Sequence, residues 1–129
     1  MSADWKLGWI GTGRMGYALA TRLLQRGCDL AVYNRTRSKA EPLSVLGARI
    51  VERPVELADR DIVMVSVADS PDFAAVMTGP DGLLADSGRV PKVVADTSTV
   101  SIEVSGRIRA QAGALGCALL AAPVSGNAK

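Results

Sequence analysis

Histidine is absent from the chain. That removes Ser–His–Asp triads, imidazole general bases and the usual zinc sites from the chemistry open to it. Aromatic residues are scarce, with two Trp, two Tyr and one Phe, and the formal charge is only +2. Such a chain has few stacking platforms for single strands and no basic field for a phosphate backbone, so no nucleic-acid partner is expected. No apolar run approaches the length of a membrane span, and no charged-then-apolar leader is read ahead of the first strand-like segment. A soluble protein of the cytoplasm, with no membrane partner, is the expectation. Cys28 and Cys117 stand alone, which supports neither a disulfide framework nor a metal cluster. What remains is chemistry built from backbone groups, hydroxyls, Lys, Arg and carboxylates.

Within those bounds the 129 residues, 48% hydrophobic and 22% charged, suit one globular domain. Strand-like and helix-like segments alternate. Lys6–Ile10 reads as a short buried strand, and the glycine cluster Gly11–Gly16 follows at once. Met15, Ala18, Leu19 and Leu23 recur at helical spacing, and Arg26-Gly27 supplies a C-cap. Leu30–Tyr33 is a second strand, Lys39–Leu46 a short helix closed by Gly47, and Ala48–Val51 a third strand. After a helical turn at Pro54–Ala58, the unbroken apolar run Ile62–Val67 suits a parallel strand covered on both faces. Ser70-Pro71-Asp72 supplies an N-cap hydroxyl, a proline at the first helical position and an acid facing the helix dipole, with the helix reaching Met77. Gly79–Gly82 is a turn, Val93–Ala95 a strand, Ser101–Ala112 a helix and Ala118–Ala121 a strand. This alternation predicts an α/β fold, a doubly wound parallel sheet in three αβα layers with strand order 3-2-1-4-5-6. In that order Cys28 and Cys117 lie at the starts of strands too far apart to bridge.

Gly11-Thr12-Gly13-Arg14-Met15-Gly16 fits G-x-G-x-x-G between a predicted strand and a predicted helix. The first glycine permits the tight turn, the second lets a pyrophosphate approach the backbone, and the third lets the helix pack close to the strand. Where an NAD-type fingerprint ends its second strand in an acid, this chain has Tyr33-Asn34-Arg35-Thr36-Arg37. Asn34 can bond a ribose, and Arg35 and Arg37, with the Thr36 hydroxyl, can bond a 2′-phosphate. NADP is therefore favoured, with NAD and a merely solvated basic loop as alternatives.

These residues resemble the β-hydroxyacid dehydrogenases, a family that includes 3-hydroxyisobutyrate dehydrogenase, tartronate semialdehyde reductase and the 6-phosphogluconate dehydrogenase nucleotide domain. The resemblance is carried by the glycine turn, Asn34-Arg35-Thr36, Asp96–Ser101 and Ala122-Pro123-Val124-Ser125-Gly126, in order and spacing. It implies a Rossmann-type NADP-binding domain over residues 1–129, and hydride transfer between a small hydroxy acid or semialdehyde and the nicotinamide. It further implies that Gly11, Thr12, Gly13, Arg14, Met15 and Gly16 hold the pyrophosphate, and Asn34, Arg35 and Thr36 the adenosine ribose and its phosphate. Val67 and Ala68 would line the crevice, Thr99 would meet the nicotinamide end, and Ser125 and Gly126 would bind the substrate carboxylate, with Asn127 offering an amide beside them. Read without the family, Thr97, Ser98 and Thr99 are equally helix-capping hydroxyls, and Pro123–Gly126 is equally a turn.

Three departures stand out: Ala121 where the family has an acid, Asn127 where it has a second glycine, and Ile102 where it often has proline. The family's catalytic lysine lies on a later helix, so none of Lys6, Lys39, Lys92 and Lys129 is expected to be catalytic and the chain alone is expected to be inactive. A helical catalytic and dimerisation domain would complete the enzyme as a homo-oligomer. An NADPH-dependent imine reductase and a non-catalytic dinucleotide sensor are the alternative readings.

Overall fold

Six strands hydrogen-bond side by side in the computed structural model of the chain, which describes residues 5–67, 69–97 and 101–121. In chain order the elements are β1 (Lys6–Ile10), α1 (Arg14–Gln25), β2 (Asp29–Tyr33), α2 (Arg37–Ala40), β3 (Arg49–Ile50), β4 (Ile62–Val65), α3 (Ser70–Thr78), β5 (Val93–Asp96), α4 (Ile102–Ala114) and β6 (Ala118–Ala121). All pairings are parallel and the sheet order is β3-β2-β1-β4-β5-β6, as the alternation predicts. The order reverses between β1 and β4, and the crevice at such a switch point is where open α/β sheets take ligands.

The local reasons are mostly visible in the residues. Gly27, at φ +81, and Gly47, at φ +107, close the segments before β2 and β3 in the left-handed conformation that favours glycine. Ser101 caps α4 by accepting a 3.2 Å bond from the Val104 N–H. Between α2 and β3 the expected single helix over 39–46 is instead α2 followed by a 3₁₀ helix at Glu41–Leu46. Pro42 has no N–H to continue an α-helical ladder, so the chain tightens there. The cap of α3 also differs from expectation. Asp69, not Ser70, is the N-cap, its carboxylate accepting a 3.0 Å bond from the Asp72 N–H. The Ser70 hydroxyl accepts from the Ser101 N–H at 2.9 Å, tying the start of α3 to the start of α4.

Two apolar layers hold the helices to the sheet. Phe73 and Met77 from α3 and Ile108 and Ala112 from α4 cover Val63, Val65, Val94 and Leu119 on one face. On the other, Ala20 and Leu24 from α1 join Ala40 and Leu43 over Leu7, Trp9, Leu30 and Val32. Full burial of such a side chain contributes about 1.5–3 kcal/mol. The buried stripe of α1 is Gly16, Ala20 and Leu24, whereas Ala18 is exposed, because small residues on that stripe let the helix approach the sheet. Nor is β4 covered on both faces: Val63 and Val65 are buried, but Ile62 and Met64 only half-buried. Their row continues through Ala95 to Leu120, which is 54% exposed, since α1 lies over β1 and β2 and no described helix extends that layer to β6.

The amino-terminal edge of the sheet is held by charge. Arg60 is buried; its Nε donates to the Leu7 carbonyl at 2.9 Å and its Nη2 to the Asp29 carbonyl at 3.2 Å and to the Asp29 carboxylate. Beside it, Asp61 accepts from the Lys6 N–H at 2.9 Å and lies 3.5 Å from the Lys92 ammonium. The Lys6 hydrogen bond, aided by Lys92 and opposed by partial burial, holds the Asp61 carboxyl below its ordinary 3.8. A carboxyl depressed in the fold contributes stability above its unfolded pKa and loses it as pH falls through the folded one. Asp61→Asn is therefore expected to lower the urea midpoint at neutral pH, with the deficit shrinking as pH falls below 3.8. Midpoints measured across that range check it; a deficit that does not change with pH would refute it. Cys28 and Cys117 are both free thiols, and burial pushes the Cys117 thiol above its ordinary value.

Candidate dinucleotide site

A cleft of about 630 Å³ opens at the carboxyl ends of β1, β2 and β4. Its floor is the glycine turn. Gly11 has φ +97, and a Cβ there would sit 1.9 Å from the Ser66 carbonyl oxygen, so the β1–β4 contact excludes any side chain. A Cβ on Gly16 would lie 2.2 Å from the Gly11 oxygen and 2.9 Å from Trp9 Nε1, so this glycine sets how closely α1 meets β1. Gly13 is different. Its φ is −65, and a Cβ there would meet nothing within 4 Å. Neither conformation nor packing in the fold accounts for glycine at this position.

Gly13 is also the N-cap of α1, with no side chain capping the helix and no acid in its first turn. Unfilled N–H groups and the positive end of the helix dipole therefore meet open space. Such a helix start can hold an anion, and the open space beside Gly13 leaves its backbone accessible from the cleft. The turn is fixed by its neighbours: Trp9 Nε1 donates to the Gly11 carbonyl at 2.9 Å, and the Gly11 N–H donates to the Tyr33 carbonyl at 3.0 Å. Sequence reading missed the tryptophan, whose only signal is a large donor-bearing ring two residues before the turn.

Of the residues expected at the site, Gly11, Gly13, Met15, Gly16, Asn34, Arg35, Thr36 and Val67 line the cleft. Thr12 does not: its N–H is given to Asn34 Oδ1 at 2.8 Å, and its buried hydroxyl has no partner among the described residues. Arg14 opens α1. Ala68, Thr99, Ser125, Gly126 and Asn127 lie outside the described residues. Asn34 does a second job besides facing the cleft. It staples the turn to the end of β2, accepting from Thr12 and donating Nδ2 to the Thr36 carbonyl at 2.8 Å. One amide hydrogen and one lone pair remain for a ligand.

The cations divide differently from the sequence reading. Arg37 does not line the cleft; it lies 3.5 Å from Glu41 and 3.8 Å from Glu52. Lys39 does line it, without an ion pair among the described residues. The helix start explains both. The Lys39 N–H bonds the Thr36 carbonyl, putting residues 36 and 39 one turn apart, while Arg37 turns toward Glu41 at i+4. Arg35 Nη1 lies 3.2 Å from Asp72 Oδ1 across the mouth. Thr97 gives its hydroxyl to the Val65 carbonyl at 3.0 Å and caps no helix. No helix among the described residues is long and apolar enough to cross a membrane.

Comparison with known proteins agrees with this fold. Residues 6–129 match the family model described as the NAD binding domain of 6-phosphogluconate dehydrogenase. The glyoxylate/succinic semialdehyde reductase 2 of Arabidopsis thaliana is 38% identical over 126 residues, covering 95% of this chain but 34% of that protein. A solved structure of Psf3 in complex with NADP+ and 2-OPP superposes with a TM-score of 0.82 at 33% identity, over 94% of this chain and 43% of that one. An imine reductase from Myxococcus stipitatus in complex with NADP+ superposes at 0.75 and 28% identity, over 88% and 39%. The chain thus spans less than half the length of each of these proteins. It belongs to the family of 6-phosphogluconate dehydrogenase-type NAD-binding domains.

Proposed function

We propose that this chain is the NADP(H)-binding domain of a 3-hydroxyacid dehydrogenase of the 3-hydroxyisobutyrate dehydrogenase type. The observation that carries the reading is the open space over Gly13 at an uncapped helix start, with Arg35 and Lys39 lining the same cleft. The glycine-turn backbone would hold the diphosphate. Asn34, Arg35, Thr36 and Lys39 would hold the adenosine ribose and its 2′-phosphate, with no acid at the end of β2 to repel it. Val67 and Ala68 would wall the crevice, Thr99 would meet the nicotinamide, and Ser125, Gly126 and Asn127 would bind a substrate carboxylate. A bound nicotinamide supplies the hydride acceptor or donor. The acid–base lysine and a helical dimerisation domain would come from outside these residues, within a cytoplasmic homo-oligomeric enzyme.

Calorimetric titration is expected to show NADPH binding the chain more tightly than NADH. Binding of neither, or preference for NADH, would overturn the cofactor reading. Arg35→Asp is expected to weaken NADPH by about tenfold or more, from a lost charge-assisted bond and an added repulsion, and to spare NADH. An unchanged ratio would mean that Arg35 does not read the phosphate. A panel of 3-hydroxy acids is expected to give no turnover with these 129 residues alone.

A further inference from the structure

Asp72 stands at the mouth of the cleft, where the sequence reading assigned it only a favourable place at a helix start. We infer that Asp72 is a specificity-determining residue that tunes the choice between a 2′-phosphorylated and a 2′-hydroxyl dinucleotide, by holding Arg35 when the cleft is empty and opposing a second anion when it fills. This inference rests on the NADP(H) reading above.

The two members of the pair differ in freedom. Asp72 lies in the first turn of α3; its side chain is 29% exposed, and its N–H is fixed to Asp69 Oδ1 at 3.0 Å. Arg35 is 81% exposed and reaches it through one 3.2 Å contact from Nη1, not a two-point fork. The short Asp72 side chain on a capped helix start is therefore the less mobile member, and the long, exposed guanidinium the freer one. A single exposed ion pair is weak and easily exchanged, whereas a phosphate can take two parallel bonds from a guanidinium.

Charge in the rest of the cleft sharpens the competition. Four charged groups line it with described side chains: Arg35 and Lys39, and against them Asp72 and Asp81. Asp81 lies 3.9 Å from Arg53, so it has a cation of its own. Asp72 is the carboxylate that draws on Arg35, and a phosphate dianion arriving at Arg35 meets it at close range. The 2′-hydroxyl of NADH brings no such charge. Removing the Asp72 charge should thus favour NADPH selectively, by about five- to tenfold for charges several ångströms apart at a solvated surface.

The test is calorimetric titration of the wild-type chain, Asp72→Asn and Asp72→Glu with NADPH and with NADH, at low and at high salt. Asp72→Asn is expected to tighten NADPH about five- to tenfold and to change NADH less than about twofold. Asp72→Glu, which keeps the charge, should stay near wild type, and the gain of Asp72→Asn should shrink at high salt. Wild-type binding with an unchanged NADPH-to-NADH ratio in Asp72→Asn would overturn this inference alone. Weaker NADPH binding by that variant would also overturn it, making Asp72 a support for Arg35. Failure of the wild-type chain to bind either dinucleotide would overturn the NADP(H) reading together with it.

Discussion

Replacing Gly13 by valine is expected to leave the chain folded and to abolish dinucleotide binding, whereas replacing Gly11 by alanine is expected to unfold much of it. The two glycines belong to one motif but answer to different physics. At Gly11 the backbone is at φ +97, and a methyl group would lie 1.9 Å from the Ser66 carbonyl oxygen. Both the left-handed conformation and the overlap must be relieved by separating β1 from the chain that follows β4. A cost of about 3–5 kcal/mol is expected, a large part of the stability of a domain this size. At Gly13 the backbone angles, φ −65 and ψ −177, suit any residue, and an added Cβ touches nothing. Stability should therefore fall by no more than about 1 kcal/mol, the scale of a changed N-cap residue. The valine methyls would instead fill the room over the α1 N-terminus where the proposed diphosphate would lie, and affinity is expected to fall about 100-fold or more. Thermal melts and calorimetry separate the outcomes. Equal losses of stability in the two variants, or wild-type NADPH affinity in Gly13→Val, would reject the division.

That division marks how far the sequence can be read. The glycine spacing, set between an apolar run and a helical pattern, is enough to place a strand, a turn and a helix, and the alternation of strands and helices along the chain predicts the doubly wound order. Such signals are local, and each needs only a few neighbouring residues. The errors lie where a side chain chooses among partners distant in sequence. Ser70 and Asp69 are both good capping residues; Ser70 is drawn instead to the Ser101 N–H, which leaves Asp69 to cap α3. Arg37 and Lys39 look alike as cations beside a phosphate site, but the first turn of α2 sends Arg37 toward Glu41 and Glu52 and leaves Lys39 at the cleft. The apolar run Ile62–Val67 speaks for burial without saying on how many faces, and only the extent of α1 decides that Ile62 and Met64 are half-open. The place of Asn34 at the end of β2 is enough to expect it at the cleft, which it lines, but not to read it as the staple of the turn, since Thr12 is twenty-two residues away.

Arg60→Met is expected to destabilise the chain by about 2–4 kcal/mol, lowering its melting temperature by roughly 10 °C, without changing dinucleotide affinity. Methionine keeps most of the buried stem of the arginine, so little packing is lost and the effect isolates the guanidinium. That group satisfies the carbonyls of Leu7 and Asp29 from a single buried position, tying together β1, β2 and the chain leading into β4. Its removal withdraws those bonds together with the one to the Asp29 carboxylate. Asp29 is 57% exposed, so its charge falls back on water and is not stranded, which keeps the cost below that of breaking a fully buried pair. For the same reason Asp29→Asn should cost clearly less than Arg60→Met. All of this happens at the amino ends of the strands, whereas the cleft opens at their carboxyl ends. A ligand that binds only the folded chain adds RT ln(1 + [L]/Kd) to its stability, and this increment depends on affinity alone. Saturating NADPH should therefore stabilise Arg60→Met and wild type by the same free energy, with the variant's whole curve displaced to lower temperature. A smaller increment in the variant would mean that strain at the amino edge reaches the glycine turn through β1, and that the two ends of this strand do not act independently.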